Sequence, residues 1–540
     1  MFNLNNTHKI QIPRSYKELN PTRTTTFNTG EFIPFFNMEI IPNDKISLSI
    51  KTVTNMTTPN FATMDTLYQQ IAFFYCPNKL VWDNWDKFYG EGKNADYEEY
   101  VELFVPQMKC PSGGWQEKTI ADYLTIPTKK NVHDVSALPF RMLAMIYNEY
   151  YRDQQRMAKA LVSKGDNDQQ GTNGDNYVND LQNGGKVPKT CRLYDYFTGS
   201  KLEFQAGDPV TLPLGTEAPV KIKATDGTSD LYLQGQKSEK ITAIKQGTIS
   251  SDLGKALIPY SNELQEGEVL KYYAGLSGTA DLSNATTATI RDFKIALMSQ
   301  QMLQNLEDGG TRYIEQLYKR WGVYANELEL EIPKFLGSRT TILNMQMVAG
   351  TGAPSGDYEF GSFTGMSNTY DSGHIFTYHF KQHGYLFGIV TIRPQNTYEN
   401  GIDKSLVKKS IKDFFMPEMA YLGPDQIKNF EIYSDKSDGK DDNMFGVRNY
   451  GDDLRFIPNK VSGQMRTNAT FSQAYKTYSV NYESRPNNNQ DFILSSVKQV
   501  DKTLTKDSAQ IDQFVFQCCI NLKMTRNLPK NANADWLLKL

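Results

Sequence analysis

Residues suited to covalent or metal chemistry are scarce in this chain of 540 residues. It has five cysteines and five histidines. The cysteines (Cys76, Cys110, Cys191, Cys518, Cys519) form no CxxC pair and no zinc spacing. Adjacent Cys518 and Cys519 point to opposite faces of any strand. All five read as reduced and structural, which fits folding in a cytoplasmic compartment. No apolar run is long enough to span a membrane, which predicts no membrane insertion. Met1–Asn20 lacks the apolar centre of a signal peptide. Charge of one sign is also missing: 58 Lys and Arg stand against 61 Asp and Glu, a net of -3. No global basic field draws in nucleic acid, so any such contact must be local. Ser/His/Asp order, a dinucleotide fingerprint and a nuclease carboxylate cluster are all absent. Gly350-Thr351-Gly352 lacks the Lys-Ser/Thr of a phosphate loop.

What is abundant is aromatic and amide. With 31 Tyr and 29 Phe among many Asn, Gln, Thr and Ser, the composition suits a β-rich protein with polar loops and wide interfaces. Asp512–Met524 alternates cleanly: Phe514, Phe516, Cys518, Ile520, Leu522 and Met524 share one face. Ile46, Leu48 and Ile50 do the same after a Pro42-Asn43-Asp44 turn. Tyr385–Arg393 reads as another strand. Two helical regions stand out. Ala137–Val162 predicts a helix with Met142, Leu143, Ile146, Tyr147 and Tyr150 inward and Arg141, Glu149, Arg152 and Asp153 outward. Thr289–Gly337 predicts a helical hairpin, capped at Thr289 and Thr311 and broken at Gly309-Gly310. Its first helix carries Ile290, Phe293, Ile295, Leu297, Met298, Met302 and Leu306 as a broad apolar face expected to pack.

Several of these stretches carry longer motifs. GGTRYIEQLYKRWGV followed by IPKFLG (309–337) closely resembles a hallmark segment of the major capsid proteins of microviruses, including gokushovirus-like members. The N-terminal signature is similar at Thr25, Phe27, Asn28, Gly30, Pro34, Glu39, Pro42 and Asp44, with Pro-Asn where the family has Pro-Gly. Met64-Asp65 and FFYCPNKLVWDNW resemble a second signature, with Lys79 in place of Arg. Leu138, Pro139, Arg141, Ile146, Asn148, Glu149, Arg152, Asp153 and Gln154 match a helix motif. Phe380, Gln382, His383, Gly384, Tyr385 and Gly388 match another, with Gln382 in place of Glu. Arg526-Asn527-Leu528-Pro529 is similar to the closing motif.

The resemblance implies an eight-stranded antiparallel jelly-roll barrel with long loop insertions containing several α-helices, one domain over 1–540. It implies sixty copies in a T=1 icosahedral shell around circular single-stranded DNA. The implied partners are the chain itself, the packaged DNA, a DNA pilot protein, a small basic DNA-binding protein and a host-surface receptor. The implied location is the virion, after assembly in the bacterial host cytoplasm, with no cofactor and no enzymatic activity. The flanks of Leu214–Asn284 resemble the family and the interval itself does not; residues 215–284 are expected as an inserted surface subdomain, a protrusion at the three-fold axis that touches the host. Residues 1–30 are expected as an N-terminal arm.

Arg14, Lys17, Arg23, Arg526 and Lys530 are the candidate nucleic-acid contacts. Trp82, Trp85, Arg152, Arg312, Tyr313 and His383 are the candidate packing and interface residues. Three sharper chemistries compete with packing. Clustered Phe73, Phe74, Trp82, Trp85 and Phe88 could form a carbohydrate platform, Glu149 with Asp153 a carboxylate pair, and His374, His379 and His383 a metal set. A β-sandwich carbohydrate-binding module or glycoside hydrolase is therefore the rival class.

Overall fold

Period-two apolar segments account for the architecture. The structure is a computed structural model. It describes residues 13–57, 59, 63–90, 103–211, 290–349, 363–420, 423–467 and 477–529, and the backbone of short strands between 220 and 280. Its principal strands are β1 (Ser15–Leu19), β2 (Thr22–Phe27), β3 (Ile33–Ile40), β4 (Lys45–Met56), β5 (Leu67–Pro77), β6 (Lys334–Ile342), β7 (Thr369–His379), β8 (Gly384–Pro394) and β9 (Phe514–Arg526). In one sheet β9 pairs β4, β4 pairs β7, and β1 and β2 lie end to end along the other side of β9. The second sheet runs β6-β5-β8-β3. Every one of these pairings is antiparallel, and most successive strands alternate between the sheets. This is the jelly-roll arrangement.

The expected N-terminal arm is thus an edge strand from Ser15 onward; residues 1–12 lie outside the described part. Pro21 splits that strand into two. Having no N–H it donates nothing to the ladder, but its carbonyl accepts from Ile520 N at 3.0 Å.

Between the sheets lies the main core. Ile46, Leu48 and Ile50 of β4, and Phe514, Phe516, Ile520 and Leu522 of β9, face Ile71, Phe73, Tyr75, Leu386, Val390 and Ile392. The Phe73 ring sits 5.9 Å from Phe35, 6.3 Å from Phe36 and 5.9 Å from Phe376. Gly388 opposite leaves room for these rings: a Cβ there would fall 2.9 Å from both Phe35 and Phe73. Sheet two is covered on its outer side as well. Ala72, Phe74, Cys76, Phe387 and Ile389 pack under Trp82, Trp115, Phe140 and Leu143. Strands buried on both faces read as unbroken apolar runs, as IAFFYC does here.

Two connections, 78–333 and 395–513, carry most of the chain outside the strands. The first contains α1 (Leu138–Ile146), α2 (Ile290–Gly309) and α3 (Tyr313–Trp321). The helix expected over Ala137–Val162 stops early. It leaves α1 through a π-type turn at Tyr147–Tyr151, and Arg152 is extended. Asp153 then accepts from the backbone N–H of Gln155 and Arg156, the local competition that ends helices. Arg141, expected outward, is fully buried and donates to the carbonyls of Val81, Gly165 and Asn167. Thr311 does not cap α3. Arg312 holds the cap position, and Glu315 accepts its N–H at 3.2 Å. The capping reading at Thr289 lies outside the described residues.

The chain divides into two compact units, 1–204 with 306–540 and 205–305. Within the smaller unit, Val220–Lys223 pairs antiparallel with Ser277–Ala280, which brings the two ends of the intervening interval side by side. Two further ladders join Leu233–Gln234 to Lys240–Ile241 and Ile244–Thr248 to Lys255–Pro259.

Because Phe73 is fully buried among three rings, Phe73→Ala should lower the unfolding free energy by about 3–5 kcal/mol. Urea denaturation of the soluble chain checks this; a loss below about 1 kcal/mol would mean the two sheets do not depend on this packing.

Candidate nucleic-acid and assembly interface

The side of the first sheet turned away from the core is polar because its strands alternate. On β4, Lys45, Ser47, Ser49, Lys51, Val53 and Asn55 point outward; on β9, Val515, Gln517, Cys519, Asn521, Lys523 and Thr525 do. Register aligns them in rows. Ser372, Lys51, Cys519 and Thr22 form one; His374, Ser49 and Asn521 another; Ser47, Lys523 and Glu18 a third. Lys45, Lys51 and Lys523 are exposed, and Lys523 stands 3.7 Å from Glu18. Tyr16 and Tyr370 present exposed rings on the same side. From sequence, Val515, Gln517, Cys519, Asn521 and Lys523 read as the polar face of the last strand and His374 as a candidate metal ligand, but none of them as a DNA contact. The period-two signal that identified the buried residues of β4 and β9 assigns their neighbours here by default.

The basic candidates scatter. Lys17 is exposed on β1, and Arg14 Nε donates to Asn527 Oδ1 at 3.0 Å. Arg23 is half-buried on β2, aligned with Cys518, and its Nε has no partner among the described residues. Arg526 is bound to the protein itself. Its Nε lies 3.1 and 3.0 Å from the two Asp44 oxygens, its Nη2 lies 2.7 Å from Asp44 Oδ2, and Nη2 also donates to Glu39 O at 2.8 Å. Asp44 is wholly buried and also accepts from Ile41 N. The pair therefore ties the end of β9 to the β3–β4 turn. Lys530 lies outside the described residues.

The packing candidates fall in two places. Trp82 is fully buried and donates through Nε1 to Asp166 Oδ1 at 2.6 Å. Its ring meets Trp85 at 6.0 Å and Phe88 at 5.4 Å. Trp85 continues to Tyr89 and to His383, whose Nε2 is 3.0 Å from the exposed Tyr89 hydroxyl. Burial lowers the His383 pKa, against a smaller opposing pull from Glu39. Trp82 is thus a core residue, and the cluster offers no open double-tryptophan platform. Around α1 and α3, Arg312 Nε donates to Glu149 Oε2 at 3.1 Å and Nη2 to Asn148 O at 2.9 Å. Arg152 Nη1 donates to Met157 O at 2.7 Å. Tyr313 is exposed.

The rival chemistries lose their residues to these contacts. Glu149 is paired with Arg312, and Asp153 with Arg156 at 3.1 Å. His374 lies 3.4 Å from Ser49 Oγ, and His379 lies 2.7 Å from Asn43 Oδ1. Among the described residues no group of three or more His, Cys, Asp or Glu is placed to hold a metal. A cleft of about 410 Å³ beside β5 and β8 is lined by Tyr68, Gln70, Tyr194, Asp195 and Arg393 among others. Its one carboxylate, Asp195, accepts from the Tyr398 hydroxyl and from the backbone N–H groups of Phe197 and Thr198.

A jelly roll with a polar outer sheet, arginine-knotted insertions and no assembled acid–base pair at these positions has the makeup of a structural protein. Sequence comparison gives the particular family. The profile described as Capsid protein (F protein) matches residues 6–535, and the chain belongs to that family. It is 31% identical over 480 residues to the capsid protein VP1 of Bdellovibrio phage phiMH2K, covering 87% of this chain and 86% of that one. It is 30% identical over 504 residues to capsid protein VP1 of Spiroplasma virus 4 (91% and 90% covered) and 28% identical over 565 residues to that of Chlamydia phage 1 (94% and 92%). The chain is a structural capsid protein and not an enzyme.

If Arg526 is a structural staple, Arg526→Gln should destabilise the fold by about 3–5 kcal/mol, since it strands the buried Asp44 carboxylate. Urea titration measures it. A loss under about 1 kcal/mol, the range of an exposed ion pair, would return Arg526 to the pool of solvent-facing cations.

Proposed function

We propose that the chain builds a T=1 shell of sixty copies around circular single-stranded DNA, and that the polar face of the first sheet is its DNA side. One observation carries the second part: exposed Lys45, Lys51 and Lys523 share a sheet face with the exposed rings of Tyr16 and Tyr370, against Glu18 as its one exposed carboxylate among the described residues. Cations tracking a phosphate chain beside rings that accept bases are what single strands require. Arg14 lies next to the edge strand of the same sheet; Lys17 and Arg23 lie on that strand in register with the inward-facing Met524 and Cys518, so they border the lysine-bearing face at its edge and do not extend it. Arg526 holds the end of β9 in place. The interval 215–284 is the exposed protrusion at the three-fold axis and meets the bacterial surface. The paired segments 220–223 and 277–280 support this, since they make the interval a separate excursion. A DNA pilot protein, a small basic DNA-binding protein and a host receptor complete the partners, and assembly takes place in the host cytoplasm.

Binding of a single-stranded oligonucleotide to the purified chain should weaken with salt. In the triple variant K45Q/K51Q/K523Q the slope of log K against log salt should shrink by about 2, or about 0.7 for each lost phosphate contact. An unchanged slope would move the DNA side elsewhere.

Replacing residues 224–276 by a short Gly-Ser link should leave the thermal midpoint of the rest of the chain within about 3 °C and abolish adsorption to host cells. Insoluble protein, or unchanged adsorption, would contradict the protrusion reading.

A further inference from the structure

The outer side of the second sheet carries a guanidinium for which no counter-charge is found among the described residues. Alternation places it there. Val390 and Ile392 of β8 point into the core, so Arg393 points away from it, opposite Tyr68 of β5. Gln70 and Thr340 continue the same side through β5 and β6. Arg393 Nη1 donates to Cys191 O at 3.2 Å and Nη2 donates to Gln70 Oε1, two neutral acceptors. Its Nε is buried and has no partner. The titratable groups that act on it are Tyr151 and Cys191. Burial keeps both protonated, raising the Tyr151 hydroxyl and pushing the Cys191 thiol up to about 11. A buried charge without a counter-ion is costly to a fold, and one set at a cleft points to a ligand.

Arg393 sits where two clefts adjoin, both lined by it and by Gln70. The larger, about 410 Å³, has a polar wall that includes Tyr68, Gln395 and Asn396. The smaller, about 280 Å³, is aromatic, with Phe74, Tyr150, Tyr151 and Phe335 around it. These rings pack on one another: Phe74 lies 4.7 Å from Tyr150 and 5.6 Å from Phe335. The Tyr150 hydroxyl is fixed by Pro333 O at 2.7 Å, so the slot is built before any ligand arrives. All these residues belong to the unit formed by 1–204 and 306–540. Charge decides the ligand class. Among the described residues lining either cleft, Arg393 is the one cation and Asp195, already holding Tyr398, the one carboxylate. A phosphate monoester brings about -1.5 to -2 charges, more than one guanidinium neutralises. A neutral sugar leaves the guanidinium unanswered. A single carboxylate matches it in charge and suits its planar fork. We infer that the two clefts form a binding site for a small ionised aromatic carboxylic acid, its carboxylate at Arg393 and its ring among Phe74, Tyr150 and Phe335. The site lies across the core from the lysine-bearing sheet face and is independent of DNA contact.

Ligand-observed NMR titration of the purified chain with phenylacetate, phenylacetamide and acetate tests this. Phenylacetate should bind at one site per chain with a Kd tighter than about 10 mM, as suits a ligand of its size. Phenylacetamide keeps the ring and loses the charge; acetate keeps the charge and loses the ring. Each should bind at least about tenfold more weakly than phenylacetate. In Arg393→Gln the preference for phenylacetate over phenylacetamide should vanish. Three results would overturn the inference: a phenylacetate Kd weaker than about 10 mM, equal binding of phenylacetate and either other probe, or a preference that survives in Arg393→Gln. The comparison of the three probes uses the wild-type chain alone, so it decides the matter even if Arg393→Gln fails to fold.

Discussion

Everything in the barrel depends on the pairing of one strand, β9, the last of the principal strands in chain order. β9 is hydrogen-bonded along one side to β4 from Phe514 to Thr525 and along the other to both halves of the edge strand. Its inward side chains supply much of the apolar surface that faces β5 and β8. Until residues 514–526 exist, the first sheet is β4 with β7 alone, and the edge strand has nothing to pair with. The Arg526–Asp44 pair then locks the end of β9 onto the β3–β4 turn. Pairings this distant in sequence form slowly, because loop closure precedes any gain in contacts.

The long connections solve a different problem. They have little regular structure, so their backbone carbonyls need other donors. Buried and half-buried guanidinium groups provide them. Arg141 reaches three carbonyls under α1, Arg448 binds the carbonyls of Tyr196 and Asp195, and Arg485 joins Tyr433 O to Asp438 and Asp441. A planar fork with several donors suits this role better than an ammonium does. Aromatic clusters fill the remaining space: Trp82 with Trp85 and Phe88 within the first connection, and Phe197 of the first against Tyr398 and Phe445 of the second.

Much of the barrel was legible. Alternation identified the inward residues of β4 and β9 directly, and the motif resemblance placed the remaining strands in a jelly roll. The features missed share a cause: each depends on what lies opposite, which periodicity does not report. Arg141 looked solvent-facing because charge favours water, yet three carbonyls from other segments surround it. Arg526 looked like a DNA contact because it is basic and near the terminus, yet Asp44 is far away in sequence. Alternation also gave the polar side of β9 with Lys523, but that Lys51 and Lys45 of β4 lie beside it depends on strand pairing.

The paired segments 220–223 and 277–280 have a consequence for how such chains diverge. With its two ends held side by side, the interval between them can lengthen or shorten without moving the barrel. The entropic penalty of a longer excursion grows only logarithmically, about 0.6 kcal/mol for each doubling. A lineage can thus rewrite this interval at small thermodynamic expense, which separates its rate of change from that of the barrel strands.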